Sequence, residues 1–102
     1  NNGKGEAFSP TDLLATSLGS CILTIMGITA RRHNINIDGT KVDVTKIMTD
    51  NPRRISEIHL DFKMPENNYS QEEKNILERM ASACPVGKSL HPDIKQIIKF
   101  NY

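Results

Sequence analysis

The chain has 102 residues, with 13 Lys and Arg against 12 Asp and Glu and a formal net charge of +1. This length allows a single domain, and the small charge argues against a nucleic-acid-binding module, which would neutralise many phosphates. Two Cys residues are too few for a disulfide-stapled scaffold. Because the sequence begins with Asn1 rather than Met, we expect further residues upstream. No signal peptide is recognisable in the residues given.

A long helix is the first predicted element, after a loop rich in Gly and Asn over residues 1–10. Ser9 is suited to the N-cap, Pro10 to the first helical position and Asp12 to a capping-box-like pair. The helix is predicted to run to about His33. It would be about 36 Å long, whereas a compact domain of this size has a radius of gyration of about 13 Å. The helix is therefore expected to cross the whole molecule or to extend into a partner.

The predicted helix contains an uncharged stretch, residues 13–30, that is long enough to span a membrane. Its Ser, Thr and Gly residues are instead typical of a helix buried inside a protein, so we expect no membrane span. The apolar side chains predicted to form one inward face are Leu13, Leu14, Leu18, Ile22, Ile25 and Met26. The small residues predicted on the opposite side, where another backbone could approach, are Ala15, Gly19, Ser20 and Gly27.

A hairpin is predicted next. Val42, Val44 and Met48 share one parity through Lys41–Thr49, and apolar residues alternate from Ile58 to Met64 within residues 54–64. The tripeptide Asp50-Asn51-Pro52 between them is a turn signal, so we expect the two strands to pair antiparallel.

A second helix and a last strand complete the predicted order. Ser70 and Glu73 form another capping box, and this helix should end at or near Cys84 because Pro85 follows it. A short turn over residues 86–90 leads to the last strand, where four side chains share one face. The order of helix, hairpin, helix and strand predicts the α+β class, in which a thin sheet would gain strands from upstream residues or a second subunit. The four side chains on the shared face are Ile94, Ile98, Phe100 and Tyr102.

Two thiols are the candidate reactive groups. Cys21 lies in the middle of the first helix and Cys84 at the predicted end of the second, both on inward faces. Burial as a small apolar side chain is the common role of a free Cys, and a functional pair where the helices meet is the alternative. A nucleophilic Cys needs a lowered pKa, and the C-terminal end of a helix opposes ionisation of Cys84. A cation from elsewhere would be required, and the candidates are Arg53, Arg54 and Lys88.

Histidines give a weaker signal. His33, His59 and His91 form no ligand pair with helical or zinc-knuckle spacing, so no metal site is predicted.

Three motifs, taken in order, resemble the OsmC/Ohr family, which comprises osmotically inducible proteins and organic hydroperoxide reductases. The resemblance covers nearly the whole chain, from about Gly5 onward. The first motif resembles the family's central helix, the second its hairpin and the third its second cysteine. The motifs are residues 9–14 with Leu18-Gly19-Ser20-Cys21, Asn51-Pro52-Arg53-Arg54 with Ile58-His59-Leu60, and Ala83-Cys84-Pro85-Val86 with Ser89-Leu90.

The resemblance implies a single OsmC-like domain over residues 1–102 that lacks the family's N-terminal strands. Family members are intertwined α+β homodimers. The long central helix of each subunit is buried in the interface and packs on an antiparallel sheet formed with both chains.

The resemblance also implies a thiol-dependent peroxidase of the oxidative stress response, located in the cytoplasm. Cys21 would be the peroxidatic thiolate, which reduces an organic hydroperoxide and becomes a sulfenic acid. Cys84 would resolve it as a disulfide. An external dithiol, such as a lipoylated or thioredoxin-like protein, would reduce the disulfide, and no metal, haem or flavin would be needed.

One position departs from the family pattern. In the hydroperoxide-resistance branch an Arg on an N-terminal strand lowers the thiol pKa, and a Glu ten residues before the first Cys orients that Arg. Here Thr11 occupies the Glu position, with Asp12 beside it. Two other functions stay open, namely a non-catalytic dimer that binds a small apolar ligand in the inter-subunit crevice, and a thiol redox sensor.

Overall fold

The computed structural model describes residues 9–102, so the first eight residues of the loop predicted over 1–10 lie outside the described part. The described chain measures 44 × 29 × 19 Å. Its element order confirms the predicted α+β class. The elements are α1 (Pro10–Arg32), β1 (Lys41–Thr49), β2 (Arg54–Lys63), α2 (Gln71–Ala81), α3 (Pro85–Ser89) and β3 (Lys95–Asn101).

The start of α1 is fixed by a capping box. The Oγ of Ser9 accepts a hydrogen bond from the backbone N–H of Asp12 at 3.2 Å, and the Ser9 N–H donates to the Asp12 carboxylate at 3.3 Å. Pro10 stands at the first helical position, where its missing N–H leaves no bond unmade. His33 is the C-cap. The predicted start of the helix is therefore confirmed, and its predicted end is correct to within one residue.

The sheet is mixed. Its strand order is β1-β2-β3, with β1 and β2 antiparallel and β2 and β3 parallel. The prediction of an antiparallel sheet is thus correct for the hairpin and wrong for the last strand. The reason is the connection between the two strands. Helices α2 and α3 form a crossover that returns the chain to the end of the sheet where β2 begins, so β3 runs in the same direction as β2.

The packing face of α1 differs from the predicted one. Ala15, Leu18 and Gly19 are buried against the sheet and α2, although Ala15 and Gly19 were predicted on the opposite side. Leu13 and Leu14, predicted inward, are 57% and 40% exposed. The helix is apolar on both sides, and within the described residues the sheet covers one of them. The helix approaches β1 closely at Gly19, where a Cβ would lie 2.8 Å from the Cγ2 of Val44.

By length and composition alone α1 could cross a membrane, but core helices of soluble proteins pass the same test. In this fold Leu18, Ile22 and Met26 of α1 are fully buried against the sheet and α2. The helix therefore has the environment of a core element along that face.

Candidate functional site

Cys21 lies in the middle of α1, at the border between its buried and its exposed face. The thiol is free and partly buried, and it packs against the hydrophobic core. Helical periodicity places it on the same stripe as Leu14 and Ile28, which are 40% and 45% exposed. The prediction that Cys21 points inward is therefore correct for only part of its side chain.

Cys84 lies in a different local setting from the predicted one. Helix α2 ends at Ala81, three residues earlier than expected, and Cys84 is the N-cap of the short helix α3. Pro85 is the cause, since Pro is excluded from a helix interior but favoured at the first position of a new helix. The sulfur therefore lies near the free N–H groups at the start of a helix. Cys84 is therefore not the last residue of a helix, and the predicted opposition of a helix C-terminus to its ionisation does not apply.

The thiols of Cys21 and Cys84 are neighbours. Cys84 is 2% exposed. Burial raises the pKa of its thiol, and the nearby thiol of Cys21 raises it further. The N–H groups of Gly87 and Val86 lower it in part, although neither closes a cap hydrogen bond to the sulfur. Cys84 therefore keeps its proton to a higher pH than an ordinary thiol would.

The cations suggested by the sequence do not join the thiols. Arg53, Arg54 and Lys88 are exposed, and Arg54 donates to the carbonyl of Ile55 at 3.1 Å. Over residues 9–102 no Lys or Arg side chain forms an ion pair or hydrogen bond with either sulfur.

A different cation, Lys46 of β1, holds the start of α1. Its Nζ lies 2.9 Å from the Asp12 carboxylate, 3.0 Å from the Ser9 Oγ and 2.6 Å from the Thr11 Oγ1. The hydrogen bond from Lys46 lowers the pKa of Asp12, with a smaller contribution from Ser9. Thr11 and Asp12, the two candidates for the family's Glu position, are thus both bound to one Lys. A sequence signal existed, because Lys46 has the same strand parity as the inward-facing Val44.

Histidine and carboxylate groups lie apart from the thiols. His59 pairs with Glu57 on β2, with 2.8 Å between Nε2 and Oε1. Within the described residues no three His, Cys, Asp or Glu side chains converge in a way that could hold a metal ion.

Two surface clefts also lie away from the sulfurs. One, of about 420 Å³, lies at the C-terminal end of α1 beside Arg31 and Ile35. The other, of about 460 Å³, is lined by Tyr69, Lys74 and Tyr102 among others. Neither cleft includes Cys21 or Cys84.

Comparison with known proteins gives a consistent result. The model of the OsmC-like protein family matches residues 3–99. A crystal structure from Psychrobacter arcticus 273-4, provisionally described as an osmotic stress induced and detoxification response protein, is 51% identical. The match has a TM-score of 0.92 and covers 99% of this chain and 73% of that one. No curated protein matches the sequence.

More distant structures share the fold. An OsmC-like protein from Mycoplasma pneumoniae is 21% identical, with a TM-score of 0.83 and coverage of 99% of this chain and 76% of that one. The organic hydroperoxide resistance protein OhrB of Bacillus subtilis is 18% identical, with a TM-score of 0.72 and coverage of 98% and 75%.

Proposed function

The chain belongs to the OsmC-like protein family, and from this membership we propose that it is a thiol-dependent peroxidase that reduces organic hydroperoxides. The observation that carries the proposal is the proximity of the two thiols, since Cys21 is close enough to Cys84 to raise the pKa of the Cys84 thiol. Two thiols in contact have the arrangement that a sulfenic acid and its resolving partner require. The substrate class is supported by structural neighbours named as organic hydroperoxide resistance proteins.

In the first step Cys21 acts as the nucleophile. Its thiolate attacks the distal oxygen of ROOH, the O–O bond breaks, and the departing alkoxide takes a proton to leave as ROH. Cys21 becomes a sulfenic acid. The partial exposure of Cys21 supports its choice over the buried Cys84, and the S–H of Cys84 can stabilise the attacking thiolate by hydrogen bonding.

In the second step Cys84 loses its proton and attacks the sulfur of the Cys21 sulfenic acid. The S–O bond breaks, water leaves, and a Cys21–Cys84 disulfide forms. An external dithiol, of the lipoylated or thioredoxin-like class, then reduces this bond through a mixed disulfide and is itself oxidised. The cycle uses no metal or organic cofactor, and its need for a steady supply of reductant suits a cytoplasmic protein.

The proposal includes a homodimer. Leu13, Leu14 and Ile28 are exposed apolar side chains on α1, and Cys21 lies on the stripe between Leu14 and Ile28. A second copy of this chain would cover this face. It would bury these side chains and shelter Cys21 in an apolar crevice, which would favour an alkyl hydroperoxide over hydrogen peroxide.

The proposal is tested by following the loss of cumene hydroperoxide in the presence of a small dithiol. The unaltered protein should consume many equivalents, and Cys21→Ser should consume none above the buffer rate. Sustained turnover by Cys21→Ser would exclude the mechanism. Two thiols that stay reduced after one equivalent of hydroperoxide would instead favour the apolar-ligand-binding alternative. Disulfide formation without multiple turnovers would favour a redox sensor.

A further inference from the structure

We propose that Gln96 is a positioning residue for Cys84 and acts on it through the backbone of Gly87. The Nε2 of Gln96 donates a hydrogen bond to the carbonyl of Gly87 at 3.0 Å. The consequence for catalysis rests on the proposed peroxidase cycle, in which Cys84 resolves the oxidised Cys21.

Gly87 links the Gln96 contact to the turn that begins at Cys84. It lies three residues after Cys84 in the same helical turn, and its N–H lowers the pKa of the Cys84 thiol. Its carbonyl accepts the Gln96 bond. The turn is closed by the N–H of Lys88, which donates to the Cys84 carbonyl at 3.0 Å. A side chain on β3 thus holds the Gly87–Lys88 peptide group, which directly follows the Val86–Gly87 peptide group whose N–H lowers the pKa of Cys84.

Close packing makes this contact specific. A Cβ on Gly87 would lie 2.9 Å from the Oε1 of Gln96 and 3.5 Å from the Cδ1 of Leu18. A side chain at residue 87 would therefore displace the end of the Gln96 side chain from its present position. Leu18 precedes Cys21 by about one turn of α1, so the turn that holds Gly87 lies beside the part of the helix that carries Cys21.

Gln96 is attached to the sheet through its pairing with β2. Gln96 pairs with Ile58 in the parallel register of β2 and β3, and Ile58 is fully buried. Its parity places Gln96 on the same strand face as Ile98 and Phe100, which pack against the core. A polar side chain at a position of apolar parity is a local inconsistency, and the bond to Gly87 accounts for it.

The chemical consequence concerns the second step of the cycle. Cys84 must be a thiolate when it attacks, and burial opposes its ionisation while the N–H groups of Gly87 and Val86 favour it. Without the Gln96 bond the turn can move, and the N–H groups lose their fixed orientation toward the sulfur. Resolution should then slow at neutral pH and recover at alkaline pH, where Cys84 is ionised without help.

A chromogenic aromatic disulfide separates the two thiols without any hydroperoxide. The Cys21 thiolate displaces the first aromatic thiolate and forms a mixed disulfide. The Cys84 thiolate then attacks the Cys21 sulfur and displaces the second aromatic thiolate. Stopped-flow absorbance therefore records Cys21 in the first phase and Cys84 in the second.

We expect Gln96→Met to slow the second phase by about three- to tenfold near neutral pH, as loss of one hydrogen bond would do. The pH midpoint of that phase should rise while the first phase stays unchanged. Gln71→Met is the matched control, since Gln71 donates an equally exposed side-chain hydrogen bond to Asn75 on α2 at 2.9 Å. Both phases should be unaltered in that variant.

Gln96→Glu is the second variant and replaces Gln96→Met if far-ultraviolet circular dichroism shows that Met impairs folding. It keeps the length of the side chain but cannot donate when ionised, so it should slow the second phase as well. An unchanged second phase with an unchanged pH midpoint would overturn the proposal, as would equal slowing of both phases. Hydroperoxide consumption is measured separately. A failure of the peroxidase proposal therefore remains distinguishable from a failure of this one.

Discussion

The thiol of Cys84 is buried beside the thiol of Cys21, and both its burial and this neighbour favour its protonated form. The two sulfurs come from distant parts of the sequence and meet because α3 docks against α1. Cys21 is the more accessible of the two. An oxidant arriving over α1 should therefore reach Cys21 first, with Cys84 acting only on the product of that encounter.

Removing Cys84 should separate the two steps of the proposed cycle. We expect Cys84→Ser to consume about one equivalent of organic hydroperoxide quickly and then to stop, because no neighbouring thiol resolves the sulfenic acid. Further hydroperoxide should add oxygen to Cys21. Intact-mass spectrometry would show one and then two added oxygen atoms, while Cys21→Ser would show neither. Sustained turnover by Cys84→Ser would contradict its role as the resolving thiol.

The raised pKa of Cys84 predicts a loss of stability in alkali. The ordinary value is 9.0, and folding moves the pKa of this thiol upward. Below the ordinary value both states are protonated and the stabilisation is fully present. As the pH rises through the folded pKa the unfolded chain has already released its proton, so the stabilisation is lost. The free energy of unfolding of the reduced protein should therefore fall from about pH 9 upward.

A comparison variant isolates this effect. Tyr102 also has a raised pKa, mainly from burial and from its hydrogen bond to Glu78, and it adds to the alkaline loss above its ordinary value of 10.0. Urea titrations of the reduced protein and of Cys84→Ala should share the Tyr102 contribution. The difference between the two pH profiles then belongs to Cys84. Parallel profiles would contradict the expectation.

Substitution of Ala for two glycines of α1 should change the stability of the protein in opposite directions. A Cβ on Gly19 would lie 2.8 Å from the Cγ2 of Val44, whereas a Cβ on Gly27 would meet nothing within 4 Å. Gly19→Ala should cost about 1–3 kcal/mol through overpacking. Gly27→Ala should gain about 0.5–1 kcal/mol from helix propensity. Urea denaturation measures both, and a loss of equal size in both variants would refute the close approach at Gly19.

The proposed dimer is tested by two exposed apolar residues of equal accessibility. Leu14 on α1 and Ile47 on β1 are both 40% exposed. Leu14→Glu would place a charge in the proposed interface and should shift the protein to monomers in sedimentation velocity. Ile47→Glu should leave the association state unchanged. Dissociation by Ile47→Glu but not by Leu14→Glu would place the interface on another face.

Local interactions were predictable from the sequence. Ser9 and Ser70 each form the predicted capping box with the residue three positions later, because this contact depends only on neighbouring residues. The β1–β2 hairpin follows for the same reason, since alternation and an intervening turn specify it.

Features that depend on distant contacts were not predictable. The parallel direction of β3 follows from the crossover, which no local pattern encodes. Pro85 stops one helix and starts another, and the pattern supported only the stop. The exposure of Leu13 and Leu14 could not be foreseen, because periodicity marks a side chain as apolar without naming what covers it.

Because Cys84 lies in the crossover between β2 and β3, the proposed cycle would also change the stability of the fold. A Cys21–Cys84 disulfide would link the turn to α1 and close a long covalent loop. By restricting the unfolded chain, this loop would raise the free energy of unfolding by about 4 kcal/mol. Each oxidation would form the loop and each reduction would open it. The melting temperature of a sample would therefore report the fraction of the protein that is in the disulfide form.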